Sequence, residues 1–412
     1  MTTLPRAPGK PRGRAPRRRI PGWARVLGVV LALAGCAVTI LALIERQTGG
    51  TGFTVGLLLA VLPVPLVVGG FLWLDRTEPQ PRRRLAFCFA WGAFAATLMA
   101  LLANSWTTSL LEQRNGARGE MVGSSTLVPL VEETAKGLVV LGLFLLTGRR
   151  GGARRVVGPV GGLVLAGVTA AGFAFTENVL YLGRAYASGA HLMDAVQLTF
   201  GTLFVRAVLS PFAHPLFTCM TGLGLGLGTV ARRRVWQVLA PLLGWTGAMA
   251  LHGLWNAAAG GGMDGFLRMY SGLMVPIFLG MLTVVLLSRR RELRLVVRHL
   301  APYAGAGWMA GHEPAVLGSA VGRRAAMRAA RRGWGEAGAV AVREYTRTAV
   351  ELARLRATGA QGARFFEREQ ELLHRLWMRR AVVGPVLAAV PPPAESDRGC
   401  GPRRPAAAGG TR

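Results

Sequence analysis

The chain has 412 residues, of which 51% are hydrophobic and only 17% charged, with a mean hydropathy of +0.36. That balance excludes a soluble enzyme, a disulfide-rich secreted domain and a wholly disordered chain. Lys+Arg 49 against Asp+Glu 20 give a net charge of +29, a level that points to nucleic acid or to an anionic membrane surface, and the placement of the basic residues decides between them.

Residues 1–23 form a Pro/Arg-rich stretch holding Arg6, Lys10, Arg12, Arg14, Arg17, Arg18 and Arg19. The first apolar run follows without a small-residue cleavage pattern, so the expectation is a disordered basic cytoplasmic leader ahead of a retained signal anchor. A bilayer core needs about 20 mainly apolar residues in helical form. Stretches of that kind run over 24–44, 52–74, 85–104, 127–147, 156–183, 211–230, 235–259 and 266–288. The short loops between them alternate in arginine content: 75–84, 148–155, 231–234 and 289–298 are rich in it, whereas 45–51, 105–126, 184–192 and 260–265 are poor. Arginine collects in cytoplasmic loops. The pattern therefore predicts a multi-pass cell-membrane protein with both termini in the cytoplasm, and it accounts for most of the charge without nucleic acid.

Segment 193–210 is too long to join the sixth span and is followed by Pro211, a natural break; it is expected as a helix on or near the outer surface. After residue 288 the composition changes. Residues 336–357 and 361–380 place Val342, Tyr345, Val350, Leu352 and Leu355, then Phe365, Phe366, Leu372, Leu373 and Leu376, at helical spacing among Glu and Arg, which predicts a cytoplasmic helical region over 289–390. A disordered tail is expected over 391–412, after the prolines at 391–393. The fold class is thus an all-α polytopic membrane bundle of about eight transmembrane helices, residues 24–288, with a small C-terminal cytoplasmic helical appendage. Cys36, Cys88, Cys219 and Cys400 show no paired disulfide or zinc spacing.

The informative residues are the ionisable ones inside the spans, each costing roughly 2.5–3.5 kcal/mol on insertion scales unless it faces a polar interior. They are Glu132, Glu133 and Lys136 in the fourth span, Glu177 in the fifth, His214 in the sixth and His252 in the seventh. At 1.5 Å per residue they lie about 5 to 10 Å from the outer ends of helices that alternate in direction. One shared level in the outer half of the bilayer is not what independent structural accidents produce. Glu132 and Lys136 stand at i and i+4, which lets one carboxylate pair with the ammonium while Glu133, rotated about 100°, faces elsewhere. Lysine is conspicuous here, because Lys10 and Lys136 are the only two in the chain. His252 and Asn256 also share a helix face. Two carboxylates with two imidazoles at one depth make a ligand set for a divalent metal such as zinc, with one position left for water.

Glu132-Glu133-x-x-Lys136, Phe173-x-x-x-Glu177-Asn178, the isolated His214 and His252-x-x-x-Asn256, in that order on successive spans, resemble the PrsW family of intramembrane proteases over about residues 85–260. That family is related to CAAX-processing and bacteriocin-processing enzymes, and its namesake makes the first, extracytoplasmic cut in an anti-sigma factor. The resemblance implies a catalytic core of the paired glutamates and a late histidine. The expectation is an intramembrane endopeptidase acting on a membrane-protein substrate near the outer face of the lipid bilayer. Glu133 or Glu132 acts as general base, with Lys136 beside them. Glu177, His214 and His252 hold a metal or polarise carbonyl and water directly, and Asn178 and Asn256 orient.

Rival readings are a transporter or channel using the same groups as a proton or cation relay, or a non-enzymatic membrane scaffold. A relay calls for polar groups in both halves of the membrane and for inverted repeats, and the cytoplasmic halves of the fourth to seventh spans are apolar. Arg206 reads as an interface anchor. Gly222 and Gly226, within a glycine-rich run that superficially suggests a phosphate loop, read as small-residue helix packing, and His312-Glu313 lacks the second histidine of a helical zinc motif.

Overall fold

The computed structural model describes residues 21–75, 80–106, 109, 113, 123–148, 157–231, 233–260, 262–357, 359 and 362–391. The leader up to residue 20, the arginine-rich loop 149–156 and the tail from residue 392, with Cys400, lie outside the described residues.

Every regular element among them is helical. In chain order these are α1 (Gly22–Ala60), α2 (Val64–Asp75), α3 (Arg82–Trp106) with a π-helical stretch at Trp91–Ala96, and α4 (Val128–Gly148), entered through a π-helical turn at Gly123–Leu127. Then follow α5 (Pro159–Ala187), α6 (Leu192–Leu203), which continues as π-helical Phe204–Leu209, α7 (Ala213–Val230) and α8 (Arg234–Gly260). After α9 (Gly262–Met269) and a π-helical Tyr270–Met274 comes α10 (Val275–Gly305). The last elements are α11 (Glu313–Leu317), α12 (Ala320–Ala357) and α13 (Ala363–Ala388).

Among the described residues, six stretches are long and apolar enough to cross a membrane: Gly22–Asp75, Arg82–Trp106, Pro159–Ala187, Leu192–Val230, Arg234–Ala259 and Asp264–Gly305. The protein is therefore an all-α polytopic membrane protein. The first stretch holds 54 residues, room for two of the expected spans, and it is bent at Gly49, whose φ of 70° lies where a side chain is disfavoured. That bend falls inside the loop expected at 45–51. Helix α4 is set apart from the six by its three charged side chains. Leucines and valines such as Val26, Leu31, Leu58 and Leu239 are exposed along the bundle exterior, the arrangement that lipid tails rather than water make favourable.

Helix α5 is the hub. Of its most apolar window 83% is buried, against 11–44% in the other five stretches, because its small residues let neighbours approach to backbone distance. A Cβ on Gly172 would meet Phe89 O at 2.1 Å, one on Gly162 would meet Gly222 O at 2.1 Å, and one on Gly56 would meet Val179 O at 2.4 Å. Three neighbours, α3, α7 and α1, thus dock on one helix without side chains between them, the small-residue mode of membrane packing. Gly222 and Gly226 serve this packing, the latter against Pro159. Gly253 brings α8 to the turn before α4, where a Cβ would stand 2.3 Å from Ser125 O.

The segment after the bundle has a core of its own. Val296, Leu300 and Tyr303 of α10 pack with Leu317, Val342, Leu352, Leu372 and Val383 from the following helices. Helix α12 bends at Gly335, φ 65°, so that its second half begins where the sequence pattern placed a helix at 336. Helix α13 runs to Ala388, past the expected end at 380, since the apolar residues Val383, Val386 and Leu387 are buried against that core. Phe365 is buried, but neighbouring Phe366 is 53% exposed. His312 and Glu313 are structural: His312 Nε2 bonds Leu387 O, and the Tyr345 hydroxyl donates to Glu313.

Candidate functional site

Helix α4 presents Glu132, Glu133 and Lys136 on one turn and the next, and all three are buried. The Lys136 ammonium lies 2.9 Å from Glu133 Oε1, 3.3 Å from Glu132 Oε2 and 3.2 Å from His214 Nδ1, and 3.8 Å over the Phe173 ring. Three N–H groups thus have three acceptors, which uses the donor capacity of an ammonium completely. Acceptance at His214 Nδ1 requires the tautomer with its proton on Nε2, and Nε2 stands 2.6 Å from Glu177 Oε2.

His252 from α8 is held in the same manner. Its Nδ1 lies 3.0 Å from Glu133 Oε1 and its ring stacks on Phe217 with centroids 5.0 Å apart, while its Nε2 is 3.8 Å from Glu132 Oε2. Each imidazole is therefore gripped at one nitrogen by a carboxylate, His252 by Glu133 and His214 by Glu177; the other nitrogen of His252 faces Glu132 and that of His214 faces the Lys136 ammonium. A carboxylate behind a ligating histidine is the usual way in which proteins fix the orientation of such a ring. The two rings meet edge to face with centroids 5.2 Å apart. Donor atoms of Glu132, His214 and His252 lie within 4.8 Å of one another, a group that could hold a metal ion. The chemistry of the set fits a divalent cation, one carboxylate oxygen with two imidazoles. Two of these donors, from Glu132 and His214, also hold the Lys136 ammonium.

The remaining expected residues divide. Glu177 joins the cluster, but as the partner of His214 and of Arg206, whose Nη2 is 2.6 Å from Glu177 Oε2. Asn178 accepts a bond from Arg206 Nε at 2.6 Å. Arg206, read from the sequence as an interface anchor, is thus bound into the site from the π-helical stretch after α6, with its guanidinium 4.3 Å over the Tyr181 ring. Asn256 is not brought to the carboxylates: its amide donates to Ser124 O at 2.9 Å and ties α8 to the turn before α4.

Two more partners are not among the residues singled out from the sequence. The Thr218 hydroxyl donates to Glu133 Oε2 at 2.8 Å, and Asn104 Nδ2 donates to Glu132 Oε1 at 3.2 Å. Thr218 stands four residues after His214 on the same face of α7, a spacing that would have found it; Asn104 carries no such signal. Counted by formal charge, Glu132, Glu133 and Glu177 oppose Lys136 and Arg206, which leaves one negative charge in a largely buried place. A proton, an imidazolium or a metal ion would balance it.

Residues 80–281 match the family model described as PrsW family intramembrane metalloprotease. The match takes in α3 to the start of α10 and every side chain of the cluster, so the site lies wholly in the part of the chain that is similar to that family. No curated protein and no solved structure matches.

Proposed function

We propose that the protein is an intramembrane endopeptidase that hydrolyses a peptide bond of a membrane-protein substrate near the outer face of the bilayer, with both its own termini in the cytoplasm. The observation that carries this reading is the meeting of Glu132, Glu133, Glu177, His214 and His252 from four helices in one bonded, buried cluster. Such a collection of groups is costly in a membrane and is retained where chemistry needs it. The match to a metalloprotease family over residues 80–281 supports the same reading.

Glu132, His214 and His252 would hold the divalent ion, zinc being the one this ligand set suits best. When bound, the ion supplies Lewis acidity toward water and the scissile carbonyl. Glu133 is the carboxylate left beside the ligands to accept the proton of the attacking water, and the same side chain fixes His252. Glu177 fixes His214 from the opposite side and in turn orients Arg206. Lys136 balances the paired glutamates and stabilises negative charge that develops between them. In this assignment Glu132 takes the ligand role expected of Glu177, because a ligand atom of Glu132 lies within 4.8 Å of one on each histidine, whereas Glu177 is engaged by His214 and Arg206. An anti-sigma factor is the substrate class that the family resemblance suggests; any substrate must be locally unwound, since helical carbonyls are already hydrogen-bonded.

The test compares new peptide N-termini in membranes carrying the wild-type protein, Glu133→Gln or His252→Ala. Both variants are expected to lose a defined set of products, Glu133→Gln by roughly 10²- to 10⁴-fold, the usual contribution of a general base. Identical profiles in all three would remove the protease reading. Metal analysis of the purified protein should show a bound divalent ion that His252→Ala loses.

A further inference from the structure

A cavity of about 330 Å³ adjoins the cluster. Asn178, Arg206, Ser210 and His214 supply its polar lining, while Val64, Ala174, Ala259 and Phe266 belong to a mainly apolar wall. His214 is common to the cavity and to the candidate ligand set, so whatever fills the cavity lies against the reacting groups. Arg206 is fixed there from three directions, by Glu177, Asn178 and the Tyr181 ring. Two of its five N–H groups are used in those bonds. The others remain for an acceptor at the polar end.

The lining restricts the occupant: an apolar wall with polar groups gathered at one end suits an apolar side chain and its adjoining peptide groups. Unwinding frees backbone carbonyls, and in an apolar medium a carbonyl without a donor is strongly unfavourable. A guanidinium immobilised at the polar end meets that need.

Resting on the protease reading above, we propose that this cavity is the subsite for the apolar residue adjoining the scissile bond of an unwound membrane-protein segment. Arg206 donates to a backbone carbonyl of that segment, and the wall at Ala174 and Phe266 sets the largest side chain accepted. The substrate residue beside the cut is therefore small to medium and apolar.

The test maps new N-termini in membranes that carry the full-length wild type, Glu133→Gln, Ala174→Phe or Phe266→Ala. Products present in wild type and absent from Glu133→Gln define the cuts, and if there are none, the protease reading and the subsite fall together. Where cuts exist, Ala174→Phe is expected to reduce those flanked by Leu, Ile or Met roughly tenfold relative to those flanked by Gly or Ala. Phe266→Ala should extend cutting to Phe and Trp. Unchanged flanking residues in both variants, or a uniform loss in Ala174→Phe with no gain in Phe266→Ala, overturn the subsite and leave the protease standing. If Ala174→Phe does not accumulate as folded protein, Phe266→Ala alone decides.

Discussion

The charges around Lys136 in the bundle and the exposed ion pairs of the C-terminal helices are arranged on different terms. Around Lys136, every carboxylate and imidazole touches another member of the cluster, and Lys136 and Glu133 have no solvent exposure at all. On the C-terminal helices, Arg331 pairs with Glu336 at 63% and 62% side-chain exposure, and Arg379 donates to Glu344 from a surface position. Water can replace the second kind of partner and cannot replace the first. A closed network is therefore a condition for the bundle to fold around the site, whereas the outer pairs trim a surface whose stability comes from the core of Leu300, Leu352 and Leu372.

Removing the central cation is the most severe way to break this contrast. Lys136→Met leaves two carboxylates buried without their counter-charge and should cost about 3–5 kcal/mol, read as a lowered unfolding temperature in detergent. Adding Glu132→Gln to it should restore part of the loss. A single variant as stable as wild type would mean that the cluster is not closed. Thr218→Val keeps the shape and removes one bond to a charged acceptor, a change of about 1.5–3 kcal/mol; Thr218→Ser should stay near wild type in both stability and cleavage. The smallest effect belongs to the surface. Arg331→Ala should shift the unfolding of the C-terminal helices by less than about 1 kcal/mol, and a larger shift would show that the outer pairs carry more than the contrast allows.

Much of the fold is legible in the sequence because the bilayer imposes length and apolar composition on its helices. Glu132, Glu133, Lys136, Glu177, His214 and His252 could be singled out because a charged or imidazole group in an apolar run is too costly to persist without a partner or a chemical task. What the sequence withholds is direction around the helix axis and partners far along the chain. Arg206 lies 28 residues from Asn178, in a short stretch whose ends look interfacial, and only the packing of α6 against α5 turns it inward. Glu177 is unmistakable as a buried carboxylate, but whether it faces the inward or outward nitrogen of His214 depends on ring orientation, which no spacing encodes. Phe365 and Phe366 show the same limit at one step of chain: adjacent positions differ by about 100°, and a pattern that admits both cannot say which one meets the core.

Helix α10 runs from Val275 to Gly305, and between Gly280 and Pro302 it contains neither glycine nor proline. The chain thus leaves the apolar bundle and enters the C-terminal core along a single stiff rod with no joint in it. Just before that rod, Tyr270 donates to Leu209 O at 2.6 Å, on the stretch that carries Arg206. The C-terminal core is consequently built on the same continuous helix that starts in the bundle, one π-helical stretch away from the bond that ties it to the segment of Arg206.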